Sequence, residues 1–218
     1  MIDNEKQLGA ILQIMNEVGL LKDVILIGSW CLLFYKKVFE NFIPLIRTTD
    51  VDFFVPNTKM IKGNSYLINS FHRENYDLSH DTLTNKTTFI SPDGFEIEFL
   101  TKINRKGLSC VELGNTKIYA ESISYVDFFT KNYIEVDYAN LKLKIISPSA
   151  YVLQKLLINN RRGDKKEKDI ESIKHVLSHI NSSEKSKNEL SALLSSLPKK
   201  WQRNILDTCK KNNVNLID

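Results

Sequence analysis

Val24-Ile25-Leu26-Ile27-Gly28-Ser29-Trp30 and, further along, Asp50-Val51-Asp52-Phe53-Phe54-Val55-Pro56 are the two stretches whose reading decides the fold. The first is a short continuous apolar run closed by Gly-Ser, the pattern of a buried strand that ends in a tight turn. The second alternates in character and is stopped by proline, as a strand with one face in the core does. Between them, Trp30 to Phe39 is predicted as a helix, so the unit is strand, Gly-Ser turn, helix, strand.

Working outward, Leu8, Ile11, Leu12 and Met15 recur at helical intervals and predict a first helix ending near Gly19. Downstream, a helix is expected around Ser65 to Arg73, then a hairpin over Lys86 to Thr101 turning at Ser91-Pro92-Asp93-Gly94. Gly114 to Ile146 mixes strand-like runs such as Leu141 to Ile146 with a short helix expected near Ser124 to Phe129. From Ser147-Pro148, a cap and first helical position, the pattern turns helical. Apolar stripes at Val152 to Leu157, Ile170 to Ile180, Leu190 to Leu197 and Trp201 to Cys209 predict a small bundle, with polar Ser182 to Asn188 as an exposed connection. The expected class is α+β, a mixed sheet with helices over residues 1–146 followed by a helical domain over 147–218.

Composition narrows the function classes. The 218 residues are 42% hydrophobic and 26% charged, values of an ordinary folded chain, and the formal charge of +4 permits phosphate-bearing partners without requiring them. No apolar run approaches the ~18 residues of a membrane span, and Met1 to Lys6 lacks signal-peptide character, so no membrane partner and a cytoplasmic location are expected. Three cysteines without paired spacing, Cys31, Cys110 and Cys209, are read as reduced structural thiols. His175 and His179 lie four residues apart, but no third ligand supports a metal site and a surface helix is the better reading.

The chemistry lies in the acids. On a strand, alternate side chains share a face, so Asp50 and Asp52 project together while Val51, Phe53 and Val55 face the core. Adjacent carboxylates repel unless a cation lies between them, and a hard divalent ion takes such oxygens. An isolated Asp-x-Asp is more often a solvated face. Here it follows a Gly28-Ser29 turn, where glycine admits close backbone approach and the serine hydroxyl adds a donor for a phosphate-sized anion. Glu96 and Glu98 form a second acidic face, opposite Phe95, Ile97 and Phe99.

Gly28-Ser29-Trp30, Asp50-Val51-Asp52 and Glu98 together resemble the Gly-Ser, Asp-x-Asp and third-acid signature of the DNA polymerase beta-like nucleotidyltransferases. The resemblance extends through Ala120 to Tyr125, Ile146 to Leu157, Arg161-Arg162 and Lys168-Asp169-Ile170, and covers roughly residues 20–180. These latter stretches are similar to bacterial nucleotidyltransferase-like families, including relatives of abortive-infection toxins. The third acid in such families is usually Asp, so Glu96 stays open as the alternative to Glu98, and the second glycine often found beside Gly-Ser is replaced here.

The resemblance implies that Asp50, Asp52 and Glu98 hold two Mg²⁺ or Mn²⁺ ions roughly 4 Å apart. Gly28 and Ser29 would position the triphosphate of an NTP such as ATP, and Lys155 and Arg162 would neutralise it. An acceptor hydroxyl, on an RNA 3′ end, a protein or a small molecule, would then attack the α-phosphate and release pyrophosphate. The toxin relatives also imply an antitoxin-like partner. Against this, Arg161 to Asp169 alternates in sign and reads equally as a solvated face, and Arg47 is left without a role. The alternative function is an inactive nucleotide-binding or protein-interaction module of the same fold. A DNA-binding regulator is a weaker third, since the C-terminal helices show no basic-aromatic recognition pattern.

Overall fold

A computed structural model describes residues 2–46, 48–61, 66–104 and 107–216. Arg47 and Ser65, both named above, lie outside the described residues. The chain opens with helix α1 (Ile2–Glu17), then strand β1 (Ile25–Ile27), a single 3₁₀ turn (Gly28–Trp30), α2 (Cys31–Tyr35) and β2 (Asp50–Phe54). Helix α3 (Tyr66–Arg73) is followed by β3 (Asp77–His80), β4 (Thr87–Ile90), β5 (Glu96–Lys102), β6 (Cys110–Glu112), β7 (Tyr119–Ile123), β8 (Tyr133–Tyr138) and β9 (Leu141–Ile146). Helices α4 (Pro148–Ile158), α5 (Lys166–Ile180), α6 (Glu184–Ser196) and α7 (Lys199–Asn212) complete it, α4 packing against the other three.

The strands form one mixed nine-stranded sheet, ordered β3-β4-β5-β2-β1-β9-β8, with β7 pairing β5 and β6 pairing β7. At its centre β2 runs antiparallel to β1 and parallel to β5. The long β5 has β4 beside its first half, and β7 takes over beside its second half, where Leu100 pairs with Glu121. Alternation works as expected: Val51, Phe53, Ile97 and Phe99 are fully or almost fully buried in the core, which leaves the acids of both strands on the other face.

Several local signals act as read. Gly19 takes a positive φ of 71° after α1, and Ser147 Oγ accepts from the Ala150 N–H at the start of α4, ahead of Pro148. The hairpin turns between β4 and β5 with Ser91 bonding back to Phe95.

Three expectations are corrected. The helix predicted from Trp30 to Phe39 stops at Tyr35, because Phe39 and Phe42 leave the helical path to form an aromatic cluster with Tyr35 and with His175 and His179 of α5. The short helix expected near Ser124 to Phe129 is instead a bend with Tyr125 at φ 64° and a 3₁₀ turn at Phe129–Lys131. The connection expected over Ser182 to Asn188 is mostly α6: Ser183 caps it by accepting from the Ser186 N–H, and Glu184 lies in its first turn.

Candidate active site

The site is built on the ends of β1, β2 and β5. Gly28 follows β1 at φ 71°, and a Cβ added there would collide with the Asp52 carboxylate. Glycine is therefore demanded twice, by its backbone conformation and by the acid pressed against it. Across the β1–β2 ladder Ile27 pairs with Asp52, which sets the Gly-Ser turn against the Asp-x-Asp strand.

Parallel pairing of β2 with β5 places Asp50 opposite Glu96 and Asp52 opposite Glu98. Asp50, Asp52, Glu96 and Glu98 line one cleft of about 680 Å³ together with Gly28 and Ser29. Burial, then the charges of Glu98 and Asp50, push the Asp52 carboxyl up to about 7. Asp50 is met by the Lys165 ammonium at 3.3 Å. Glu98 accepts from Lys86 Nζ at 2.6 Å, and the same ammonium lies 3.3 Å from Glu121 of β7. Glu96 is exposed at the cleft margin, with Glu98 deeper and partnered.

The opposite wall comes from α4, α5 and the 3₁₀ turns that join them. Lys155 is 5% exposed and donates to Asp169 Oδ1 at 2.5 Å, while Arg162 Nε donates to Asp169 Oδ2 at 2.8 Å. Lys165 and Lys168 stand nearby, and burial together with Lys155 and Lys165 lowers the Lys168 ammonium's pKa. The stretch from Arg161 to Asp169 is thus not simply a solvated face: Asp169 is buried, and Arg161, Arg162, Lys165 and Lys168 line the cleft.

All seven residues singled out from the sequence, Gly28, Ser29, Asp50, Asp52, Glu98, Lys155 and Arg162, line this one cleft. Sequence reasoning missed Lys86, Gln154 and the role of Asp169 as the shared partner of two cations. Lys86 was findable: it stands just before β4, whose Thr88 pairs with Glu98. Among the described residues no three His, Cys, Asp or Glu side chains are gathered tightly enough to form a metal cluster. His175 and His179 are no exception; His175 Nε2 lies 2.8 Å from the Ile43 carbonyl oxygen, and both rings pack on Phe42. The cysteines are unpaired, and among the described residues no helix is long and apolar enough to cross a membrane.

A family model described as nucleotidyltransferase matches residues 6–197. The chain belongs to that nucleotidyltransferase family. Membership brings the family's general reaction, transfer of a nucleoside monophosphate from an NTP to an acceptor. No curated protein matches the sequence. Among solved structures, an antigenic nucleotidyltransferase-like protein from Paracoccidioides brasiliensis is similar with a TM-score of 0.50 and 16% identity, over 94% of this chain and 93% of that one. This likeness is one of fold. The solution structure of the antibiotic-resistance factor ANT(2'')-Ia gives a TM-score of 0.49 at 11% identity, over 88% of this nucleotidyltransferase and 93% of that chain. The crystal structure of ANT(2'')-Ia with adenylyl-2''-tobramycin gives 0.48 at 12%, over 89% and 98%.

Proposed function

We propose that this nucleotidyltransferase transfers NMP from an NTP to a hydroxyl acceptor with release of pyrophosphate, and that Asp50, Asp52 and Glu98 carry the divalent-metal chemistry. One observation carries the reading: the acids, the Gly28-Ser29 turn and a cationic wall of Lys155, Arg162, Lys165 and Lys168 share a single cleft.

The chemistry of these donors suits a divalent cation, although their side chains are not gathered into a ready three-ligand cluster. Asp50, Asp52 and Glu98 offer hard oxygen ligands, and an Asp52 carboxyl raised to about 7 by burial and by its acidic neighbours is a carboxylate short of a counter-cation. A bound Mg²⁺ or Mn²⁺ would neutralise this repulsion and stabilise charge at the α-phosphate. Gly28 lets the backbone come close to the triphosphate, and the Ser29 hydroxyl donates beside it. Lys155, held in line by Asp169, presents a fixed cation at the cleft floor, while Arg162 and Lys165 supply more exposed ones. Glu98 is the group for the acceptor hydroxyl: once its contact with Lys86 opens, Oε1 can take the proton as the oxygen attacks the α-phosphate in line. The acceptor is an RNA 3′ end, a protein side chain or a small molecule.

A specific observation favours the alternative, an inert nucleotide-binding module: Lys165 and Lys86 pair with Asp50 and Glu98. The two readings separate in one experiment. Wild type and an Asp50→Ala, Asp52→Ala double variant are incubated with Mg²⁺, each of the four labelled NTPs and either total RNA, a protein lysate or a small-molecule extract. Label transfer and pyrophosphate release by the wild type alone support transfer and name the acceptor class. NTP binding with no pyrophosphate from any mixture overturns transfer in favour of the module.

A further inference from the structure

Two acids share one ammonium on the sheet side of the cleft. Lys86 Nζ lies 2.6 Å from Glu98 Oε1 and 3.3 Å from Glu121 Oε2. The arrangement comes from a junction of three strands. Thr88 of β4 pairs with Glu98 of β5, and two residues further along β5 the neighbour is β7, where Leu100 pairs with Glu121. Paired residues share a face of the sheet, as do residues two apart on one strand, so Glu98, Leu100 and Glu121 reach the cleft together. Lys86 precedes Thr88 by two residues and falls on the same side. Its backbone is fixed at the junction: the Lys86 carbonyl accepts from the Asp81 N–H at 2.9 Å, and the Thr87 hydroxyl accepts from the Tyr119 N–H of β7 at 2.8 Å. What remains free to turn is the four-carbon stem.

The two acids are unequal. The Glu98 side chain is 17% exposed and that of Glu121 43%, with Lys86 between them at 24%. An ammonium so far from water is strongly destabilised when its acid is taken away. Three N–H donors on a flexible stem nevertheless let it hold two carboxylates at once and lean from one to the other. Lys165, the partner of Asp50, needs no second acid, because it is mostly exposed and can turn to solvent.

We propose that Glu121 is a positioning residue that takes over Lys86 when Glu98 turns to a divalent cation, so that the third acid is released without stranding the ammonium. The proposal rests on the metal-dependent transfer reading. Glu98 Oε1 cannot serve Lys86 and a cation together, and Glu121 lowers the cost of giving Lys86 up. No covalent bond changes: rotation of the lysine stem exchanges the contact with Glu98 for a fuller one with Glu121, from the deeper acid to the wetter one. Glu121 acts through Lys86 and does not itself touch the cation. A carboxylate that acted by its charge alone would contribute little at this exposure, and its effect would not depend on Lys86.

The test is a double-mutant cycle on Mn²⁺ binding to the nucleotide-free full chain, followed by calorimetry and by the electron paramagnetic resonance signal of unbound Mn²⁺. Lys86→Met keeps the apolar stem, removes the competitor for Glu98 and should tighten Mn²⁺ binding about fivefold or more. Glu121→Gln leaves Lys86 to Glu98 alone and should weaken it about five- to tenfold. In the Lys86→Met background the same Glu121→Gln change should alter affinity by less than about twofold, since no ammonium is left to take over. A Glu121→Gln loss of equal size in both backgrounds makes Glu121 a ligand or a bystander charge and overturns the proposal. So does the absence of a loss in either, or a Lys86→Met variant that binds Mn²⁺ no more tightly than wild type. Those results leave the metal reading standing as long as Asp50→Ala with Asp52→Ala abolishes Mn²⁺ binding. Mn²⁺ binding that this double variant leaves unaltered brings down the metal reading, and the role of Glu121 with it.

Discussion

At the scale of single residues, Gly28 and Asp52 are coupled. A side chain at Gly28 would collide with the Asp52 carboxylate from a backbone at φ 71°, so Gly28→Ala is expected to destabilise the fold by about 1–3 kcal/mol and to displace the acid. Thermal unfolding and pyrophosphate release check the two effects together; a variant of wild-type stability and turnover would mean that the turn and Asp52 move freely. Asp52 itself stores repulsion. Its folded carboxyl titrates near 7 against an ordinary 3.8, so between those values the native state holds a proton that the unfolded chain has lost. Stability that is present below about pH 4 is therefore lost as the pH rises through 7. Asp52→Asn, which cannot ionise, should stabilise the metal-free protein at pH 8. The half-buried acid reaches cleft water, which limits the gain to about 1–2 kcal/mol, or roughly 2–8 °C in Tm. In chelator the gain should vanish near pH 4, and an Asn variant less stable than wild type at pH 8 would show that a cation already balances Asp52. These acids were legible in the sequence because a strand's period of two assigns faces directly. Of their lysine partners, Lys86 could be placed from the register of the predicted hairpin, but Lys165 could not, since it reaches Asp50 only through the docking of the C-terminal helices.

At the scale of elements, α4 and α5 are joined by charge as well as by packing. Asp169 is 3% exposed and accepts from both Lys155 and Arg162. Removing the acid strands a buried ammonium, so Asp169→Ala should cost about 3–5 kcal/mol in urea unfolding. Replacing the buried pair by apolar residues, Lys155→Met with Asp169→Leu, should cost well under half as much, because no charge is then left uncompensated. Equal losses would mean that the ion pair itself holds the helices together. The same region shows why element boundaries were unevenly legible. Ser147-Pro148 announces α4 by local chemistry, a cap and a ring with its φ preset. Ser182 to Asn188 looked like a connection because the exposed side of α6 is polar, although Ser183 is a cap of the same kind. Helix α2 was overextended for the opposite reason: Phe39 and Phe42 are apolar enough to continue it, but their partners lie on α5, far away in sequence.

At the scale of the whole molecule, the cleft is where the mixed sheet meets the C-terminal helices, with most of its acids contributed by the first and most of its cations by the second, Lys86 and Asp169 being the exceptions. The formal charge of +4 hides this division, because it sums over a surface on which opposite signs face each other across the cleft. A ligand that is anionic at the triphosphate and metal-bound at the acids would tie both parts to the native state alone. NTP with Mg²⁺ at a hundred times its Kd should then add about 2.7 kcal/mol, which is roughly 5–10 °C in Tm for a chain of this size. The shift should shrink as salt rises, since the cationic wall is only partly buried. Lys165 separates the two halves of this argument. Its ammonium is 60% exposed and 3.3 Å from Asp50, so Lys165→Glu should change unliganded stability by about 1 kcal/mol at most. In the liganded protein the same change sets an acid where the triphosphate would lie, and the NTP-induced shift should fall by at least about half. An unchanged shift in Lys165→Glu would mean that the phosphates lie elsewhere, and that the cations at the start of α5 serve the fold rather than the nucleotide.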